Sequence, residues 1–310
     1  MPTKLIRGLT NITNAMRGGV VTIGNFDGVH LGHQRLLQEV VTMAKRQGVS
    51  STLITFEPHP FEFFAKDQLT IPRITRLREK FIELAKTGID FVLILPFNQS
   101  FASISAIDFA THILQQQLAP IHVFVGDDFR FGYKRQGDFA LLQQVGKSAG
   151  FSVASLPSVM LHERRISSTW VREALQQGDL ALAAELLGRP YTMSGRIRFG
   201  DQIGRKLGFP TANIFLHRRL TPIAGVFCVR VQGLHATSLP GAANLGTRPT
   251  VDGTRTLLEV HLLDFNQDIY GRYVTVEFCH KLRDEEYYPS LDLLREQIAK
   301  DVAATKNYFD

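Results

Sequence analysis

Cysteine is nearly absent. Cys228 and Cys279 are the only two in 310 residues, each lies in an apolar alternating stretch, and neither belongs to a CxxC pair, so a disulfide framework is excluded and buried thiols in a reducing compartment are expected. No uninterrupted apolar run reaches the about 18 residues that a membrane-spanning helix needs. The start, Met1-Pro2-Thr3-Lys4, lacks the charged-then-apolar pattern of a targeting segment. A cytoplasmic protein with no membrane partner is the expectation. A compact basic block is missing as well: the formal charge is +6, but Lys and Arg are scattered among Asp and Glu. That disfavours a nucleic-acid track and leaves small anions such as nucleotides as partners. With 44% hydrophobic and 21% charged residues, disorder is excluded. No internal repeat is visible, so two halves of the chain should be different folds rather than a duplication.

The chain is long enough for two ordinary domains. Up to residue 187, short apolar runs alternate with helical patterns, which predicts a mainly parallel sheet covered by helices. Strands are expected at 20–23, 51–56, 91–95, 121–125 and 151–156, and helices at 76–87, 103–117, 139–149 and 179–187. A further helix carries Leu36, Leu37, Val40, Val41 and Ala44 at helical spacing and stops at Gly48. Ligands of such sheets collect at the carboxyl ends of strands, where Gly24, Glu57 and Gly126 fall. Gly188-Arg189-Pro190 marks a junction. Beyond it, alternating stretches at 226–231, 257–263 and 274–278 predict an antiparallel barrel or compact sheet, and a final helix begins near Ser290. The expected domains are therefore 1–187 and 188–310.

The run Gly24-Asn25-Phe26-Asp27-Gly28-Val29-His30-Leu31-Gly32-His33 puts two imidazoles three apart at a helix start, directly after a strand. Backbone N–H groups there are anion donors, and imidazoles add side-chain donors for phosphoryl oxygens. Stabilising an in-line transfer at phosphorus is the chemistry that suits them; surface histidines at a helix end are the plainer alternative for a bare His-x-x-His. Ile166-Ser167-Ser168-Thr169-Trp170-Val171-Arg172 is a second candidate phosphate loop, or an ordinary helix cap. Gly204-Arg205-Lys206-Leu207-Gly208-Phe209-Pro210-Thr211-Ala212-Asn213 offers hard oxygen donors from Thr211 and Asn213 for a divalent ion carried with ATP. Without context it is a Gly/Pro loop. Glu259 can serve as base for a substrate hydroxyl, or simply face solvent at the start of a strand, and His261 shares its face.

Taken together these stretches resemble the bacterial bifunctional riboflavin kinase/FMN adenylyltransferase family, nearly end to end. The resemblance rests on His30-Leu31-Gly32-His33, on Ile166-Ser167-Ser168-Thr169 with Arg172, on Pro210-Thr211-Ala212-Asn213 and on Glu259. It implies a Rossmann-like nucleotidyltransferase domain followed by a six-stranded antiparallel barrel with a terminal helix. It implies ATP, Mg2+ or another divalent cation, and riboflavin, FMN and FAD as substrates and products. His30, His33, Ser168, Arg172 and Glu259 would be catalytic. Gly24, Asn25, Phe26, Asp27, Gly28, Asp128, Phe129, Arg130, Ser167 and Thr169 would build the first nucleotide and flavin site. Gly204, Arg205, Gly208, Asn244, Thr247, Arg248 and Arg295 would build the second, with Thr211 and Asn213 on the metal.

Overall fold

Val20–Ile23 is buried throughout because the strand it forms, β2, lies inside a parallel sheet covered on both faces. A computed structural model describes residues 2–65, 71–200, 203–218, 220–250 and 253–310; at 203, 206, 247–250 and 253–255 only the backbone is described. The chain parts into two compact units, Met1–Ile71 with Thr75–Ser168, and Pro72–Ile74 with Thr169–Asp310.

In the first unit β1 (Lys4–Arg7), β2, β3 (Ser51–Glu57), β4 (Phe91–Pro96), β5 (His122–Gly126) and β6 (Ser152–Leu156) pair in the order β1-β4-β3-β2-β5-β6. Every pairing is parallel. Successive residues face opposite sides of the sheet, and each side has its own core. Val20, Leu53, Val92, Ile94 and Phe124 pack with Leu36, Leu37, Val40 and Val41 of α1 (Leu31–Gln47). Val21, Ile23, Leu93, Leu95, Val123 and Val125 make the other core. Besides short 3-10 turns, the unit carries α2 (Pro60–Ala65), α3 (Leu77–Lys86), α4 (Gln99–Ala102), α5 (Ala106–Asp108), a π-helical segment Phe109–Leu118 and α6 (Phe139–Ala149). The helix expected over 103–117 is thus two pieces, its longer part wound wider. A hairpin of β7 (Met160–Leu161) and β8 (Arg164–Arg165) precedes α7 (Ser168–Gln177), inside which the division between units falls. Because β3, β2 and β5 are adjacent, Glu57, Gly24 and Gly126 emerge together at the carboxyl ends of the strands, where α1 also begins.

After α8 (Leu180–Leu187) the second unit is a barrel, closed rather than an open sheet. Its strands are β9 (Thr192–Arg198), β10 (Ala212–Phe215), β11 (Gly225–Gln232), β12 (Leu239–Thr250), β13 (Gly253–Leu262) and β14 (Tyr273–Arg283), in the order β10-β13-β12-β11-β14-β9. All pairings are antiparallel. A short α9 (Ile203–Lys206) precedes β10, and α10 (Leu291–Phe309), which begins where expected and is capped by Ser290, packs over β11 and β12. Phe227, Val229, Ala243, Leu245, Leu258, Val260 and Phe278 fill the barrel.

Candidate active sites

The turn between β2 and α1 is conformationally unusual. Phe26 (φ 49°), Gly28 (φ 83°) and Val29 (φ 46°) are left-handed, a region that glycine adopts freely and a β-branched valine resists. Buried polar bonds hold it there. The Asp27 carboxylate accepts from the Thr75 backbone N–H at 3.0 Å and from its hydroxyl at 3.2 Å, and that hydroxyl accepts from the Gly28 N–H at 3.0 Å. Ser168 Oγ donates to the Asp27 carbonyl at 2.9 Å, tying the start of α7 to the turn.

His30 caps α1, its Nδ1 accepting from the His33 N–H at 3.4 Å. The two rings stack with centroids 3.6 Å apart and planes 18° off parallel, and Phe26 lies 4.9 Å from His33. A Cβ on Gly32 would sit 3.2 Å from the His30 ring, so glycine there allows the close approach. Burial, then the charges of His30, Lys80 and Arg165, push the His33 pKa well below the ordinary histidine value. His33 is therefore neutral at pH 7, and its buried Nδ1 has no hydrogen-bond partner among the described residues. A buried polar atom left over beside a helix start fits an approaching phosphoryl group.

After β5, Arg165 bridges Asp127 (3.2 Å) and Asp128 (2.8 Å), and Phe129 stacks on Phe131 with centroids 5.3 Å apart. Arg130 donates to the Phe129 carbonyl at 3.1 Å. Thr169 and Arg172 belong to the second unit, where the Arg172 Nε donates to the Pro72 carbonyl at 2.7 Å.

Strand register assembles the second site. Asn213 on β10 pairs with Glu259 on β13, Glu259 with Asn244 on β12, Asn244 with Val226 on β11, and Val226 with Arg283 on β14. Residues directly opposite share a face, and the buried neighbours on either side of this row point into the barrel. The row is therefore on the outer face. Its members Glu259, Asn244, Val226 and Arg283 line a cavity of about 250 Å³ that also includes Gly204, Phe209, Thr211, His261 and, from α10, Leu294, Ile298 and Asp301. A second cavity of about 350 Å³ is lined by Arg205, Pro210, Thr211 and residues 265–270, so Thr211 borders both. Glu259 and His261 face one cavity, as the two-residue period predicts. Glu259 is in the body of its strand, not at its start.

Glycines keep this region tight. A Cβ on Gly200 would meet the Asn213 amide at 2.5 Å, and one on Gly204 would meet the Phe209 carbonyl at 2.4 Å. Asn244 Nδ2 donates to Glu285 at 3.3 Å. Arg283 grips Asp301 with Nε to Oδ1 at 3.0 Å and Nη2 to Oδ2 at 2.7 Å, and Gln297 adds a bond of 2.9 Å. Asp301 is 8% exposed. Asp301→Ala is expected to cost the barrel unit about 3 kcal/mol, because it strands a half-buried guanidinium; urea unfolding measures it. Arg295 is exposed on α10 and does not line the cavity. The side chains of Thr247 and Arg248 lie outside the described residues.

The FAD synthetase family profile matches residues 12–170, and the riboflavin kinase profile matches residues 187–309. Over 307 residues the chain is 48% identical to a bifunctional riboflavin kinase/FMN adenylyltransferase of Escherichia coli K12, covering 99% of this chain and 98% of that one. The Haemophilus influenzae protein described by the same words is 46% identical, covering 99% of both. The chain belongs to the bifunctional riboflavin kinase/FMN adenylyltransferase family. A crystal structure from Streptococcus pneumoniae, described as a macrolide-efflux protein, is 30% identical with a TM-score of 0.81 and covers 99% of both chains. Among the described residues no helix is long and apolar enough to cross a membrane.

Within the family's FAD synthetase region, the structure brings His30, His33, Asp27 and Ser168 together; within its riboflavin kinase region, it brings together Gly204, Thr211, Asn213, Asn244 and Glu259. Sequence motifs missed the residues that hold the first site, Thr75 and Lys80. The available signal for Lys80 was its position: with Leu77, Phe81 and Leu84 it falls on the apolar face of α3.

Proposed function

We propose that this member of the bifunctional riboflavin kinase/FMN adenylyltransferase family makes FMN at the barrel site and FAD at the histidine site, with the functional boundary at 187/188. Riboflavin plus ATP gives FMN plus ADP; FMN plus ATP gives FAD plus pyrophosphate. The row Asn213–Glu259–Asn244 is the observation that carries the first assignment. It sets a carboxylate between two amides, beside a cavity roofed by a helix.

Of the two cavities Glu259 lines the one under α10, so in this reading the acceptor flavin occupies that side. Glu259 takes the proton of the ribityl hydroxyl as its oxygen bonds the γ-phosphorus and the bond to ADP breaks. Thr211 borders both cavities, which supports a triphosphate at their junction with Arg205 on the far side. A divalent ion fits there: the Thr211 hydroxyl and Asn213 carbonyl are hard oxygen donors, and the glycine at 200 leaves the Asn213 amide its room. Bound with ATP, such an ion would neutralise phosphate charge. Asn213 and Thr211 would hold it.

At the first site the FMN phosphate is already ionised and needs no base. It attacks the α-phosphorus of ATP and pyrophosphate leaves, with no covalent enzyme intermediate. His30, neutral His33 and the donors at the start of α1 stabilise the charge on the transferring group. Ser168 and Asp27 keep the turn in place. Asp128, Phe129 and Arg130 complete the nucleotide site in this reading.

The test is a time course of the purified chain with riboflavin, excess ATP and Mg2+, resolving the three flavins by chromatography. Transient FMN followed by FAD is expected. FMN that accumulates without FAD overturns the adenylylation assignment, and no turnover of either flavin overturns both.

A further inference from the structure

Lys80 is a buried lysine, only 2% exposed, in a position no phosphate-binding motif contains. Lysine is almost never that deep without a task for its charge, because the ammonium must replace its water with fixed partners. Here the partners include the backbone of the histidine turn and a threonine of β3. Lys80 Nζ donates to the Asn25 carbonyl at 3.0 Å and to Thr55 Oγ1 at 3.2 Å, and Thr55 Oγ1 donates to the same carbonyl at 3.2 Å. Lysine and threonine thus close a triangle on one backbone oxygen. That oxygen is next to Phe26, the first left-handed residue of the turn. Thr75 holds the turn farther along, at Asp27 and Gly28; it lies just before the cap of α3, and Lys80 is in the first turn of that helix.

We propose that Lys80 is a positioning residue for adenylyl transfer: its ammonium pins the Asn25 carbonyl and so keeps the strained turn in the form that presents its backbone donors and His30 to the triphosphate. This rests on the reading of the histidine loop as the adenylylation site. A turn containing left-handed Phe and Val has extended forms of lower local energy. Without the clamp, part of the population leaves the competent form, and ATP must draw it back. The apparent affinity then falls by the fraction lost, while an occupied site turns over as before.

The predicted signature is a split between KM and kcat. In the intact chain, with FMN saturating and ATP varied, Lys80→Met should raise KM for ATP about tenfold, the weight of one charge-assisted hydrogen bond, and change kcat by less than about twofold. Riboflavin phosphorylation by the same preparation should be unchanged. Thr55→Val removes the neutral side of the triangle and should raise KM about threefold; it decides the matter if Lys80→Met leaves the first unit unfolded by hydrogen exchange. An unchanged KM, or a fall in kcat at constant KM, overturns the proposal. His33→Ala runs alongside: if it also leaves FMN adenylylation intact, the site reading has failed, whereas a dead His33→Ala with a normal KM in the lysine variant sinks the clamp alone.

Discussion

Replacing Glu259 by Gln is expected to slow riboflavin phosphorylation about a thousandfold at saturating substrates, with little change in either KM. Gln keeps the shape and the place in the row between Asn213 and Asn244, so packing and substrate contacts survive. It cannot take a proton at neutral pH. What is lost is therefore an interaction made as the hydroxyl attacks, and a loss of that kind lowers kcat and kcat/KM together. FMN adenylylation, measured from added FMN, should continue at the normal rate, because Glu259 belongs to the second unit and the histidine turn to the first. A loss under about tenfold would remove Glu259 from the role of base and leave it as a neutral-polar positioning group.

Local signals were legible because single residues fix them. The four-residue apolar run at 20–23 is a central strand, Gly48 ends α1 with φ 65°, and Ser290 caps the last helix. The histidine turn was legible for the same reason, since glycine and histidine spacing at a helix start is a property of ten adjacent residues. Strand β12 was not. Pro240, Gly241, Gly246 and Pro249 are poor strand residues and no strand was expected there, but β11 pairs only with Leu239 to Leu245, so Pro249 is beyond that ladder and its missing N–H leaves no partner unpaired there. The row Asn213–Glu259–Asn244 was equally hidden: its members lie in three separate motifs, and only register across three strands places them opposite one another. Parity along one strand predicts that Glu259 and His261 share a face; nothing in one strand says which residue of the next one stands beside them. Lys80 shows the limit differently. Its position on the apolar face of α3 was visible, yet what an interior ammonium binds is decided by the backbone of a distant turn.

The pair His30→Ala with His33→Ala should lower FMN adenylylation about a thousandfold, chiefly in kcat, and leave FMN formation from riboflavin running, so that FMN accumulates. Each imidazole supplies a donor to charge that grows in the transition state, and stacked rings 3.6 Å apart act as one unit. The single variants should therefore each approach the double in effect rather than contribute equal halves. Wild-type rates of FAD formation in the double variant would remove the histidines from the chemistry. Acid adds a second test of the same pair. His33 is held neutral by the fold, with its pKa well below the ordinary value because of burial and then its positive neighbours. The unfolded chain takes up that proton at about pH 6.5, while the folded one does not until lower pH. The stability linked to His33 is thus fully present above about pH 6.5 and is lost as pH falls toward the depressed value. Urea unfolding of the ligand-free chain should show a drop in stability between neutral pH and pH about 5.5, and that drop should be smaller in His33→Ala. An unchanged drop would mean that His33 carries its proton in the folded protein. The neutral donor assigned to it in adenylyl transfer would then have to be an imidazolium.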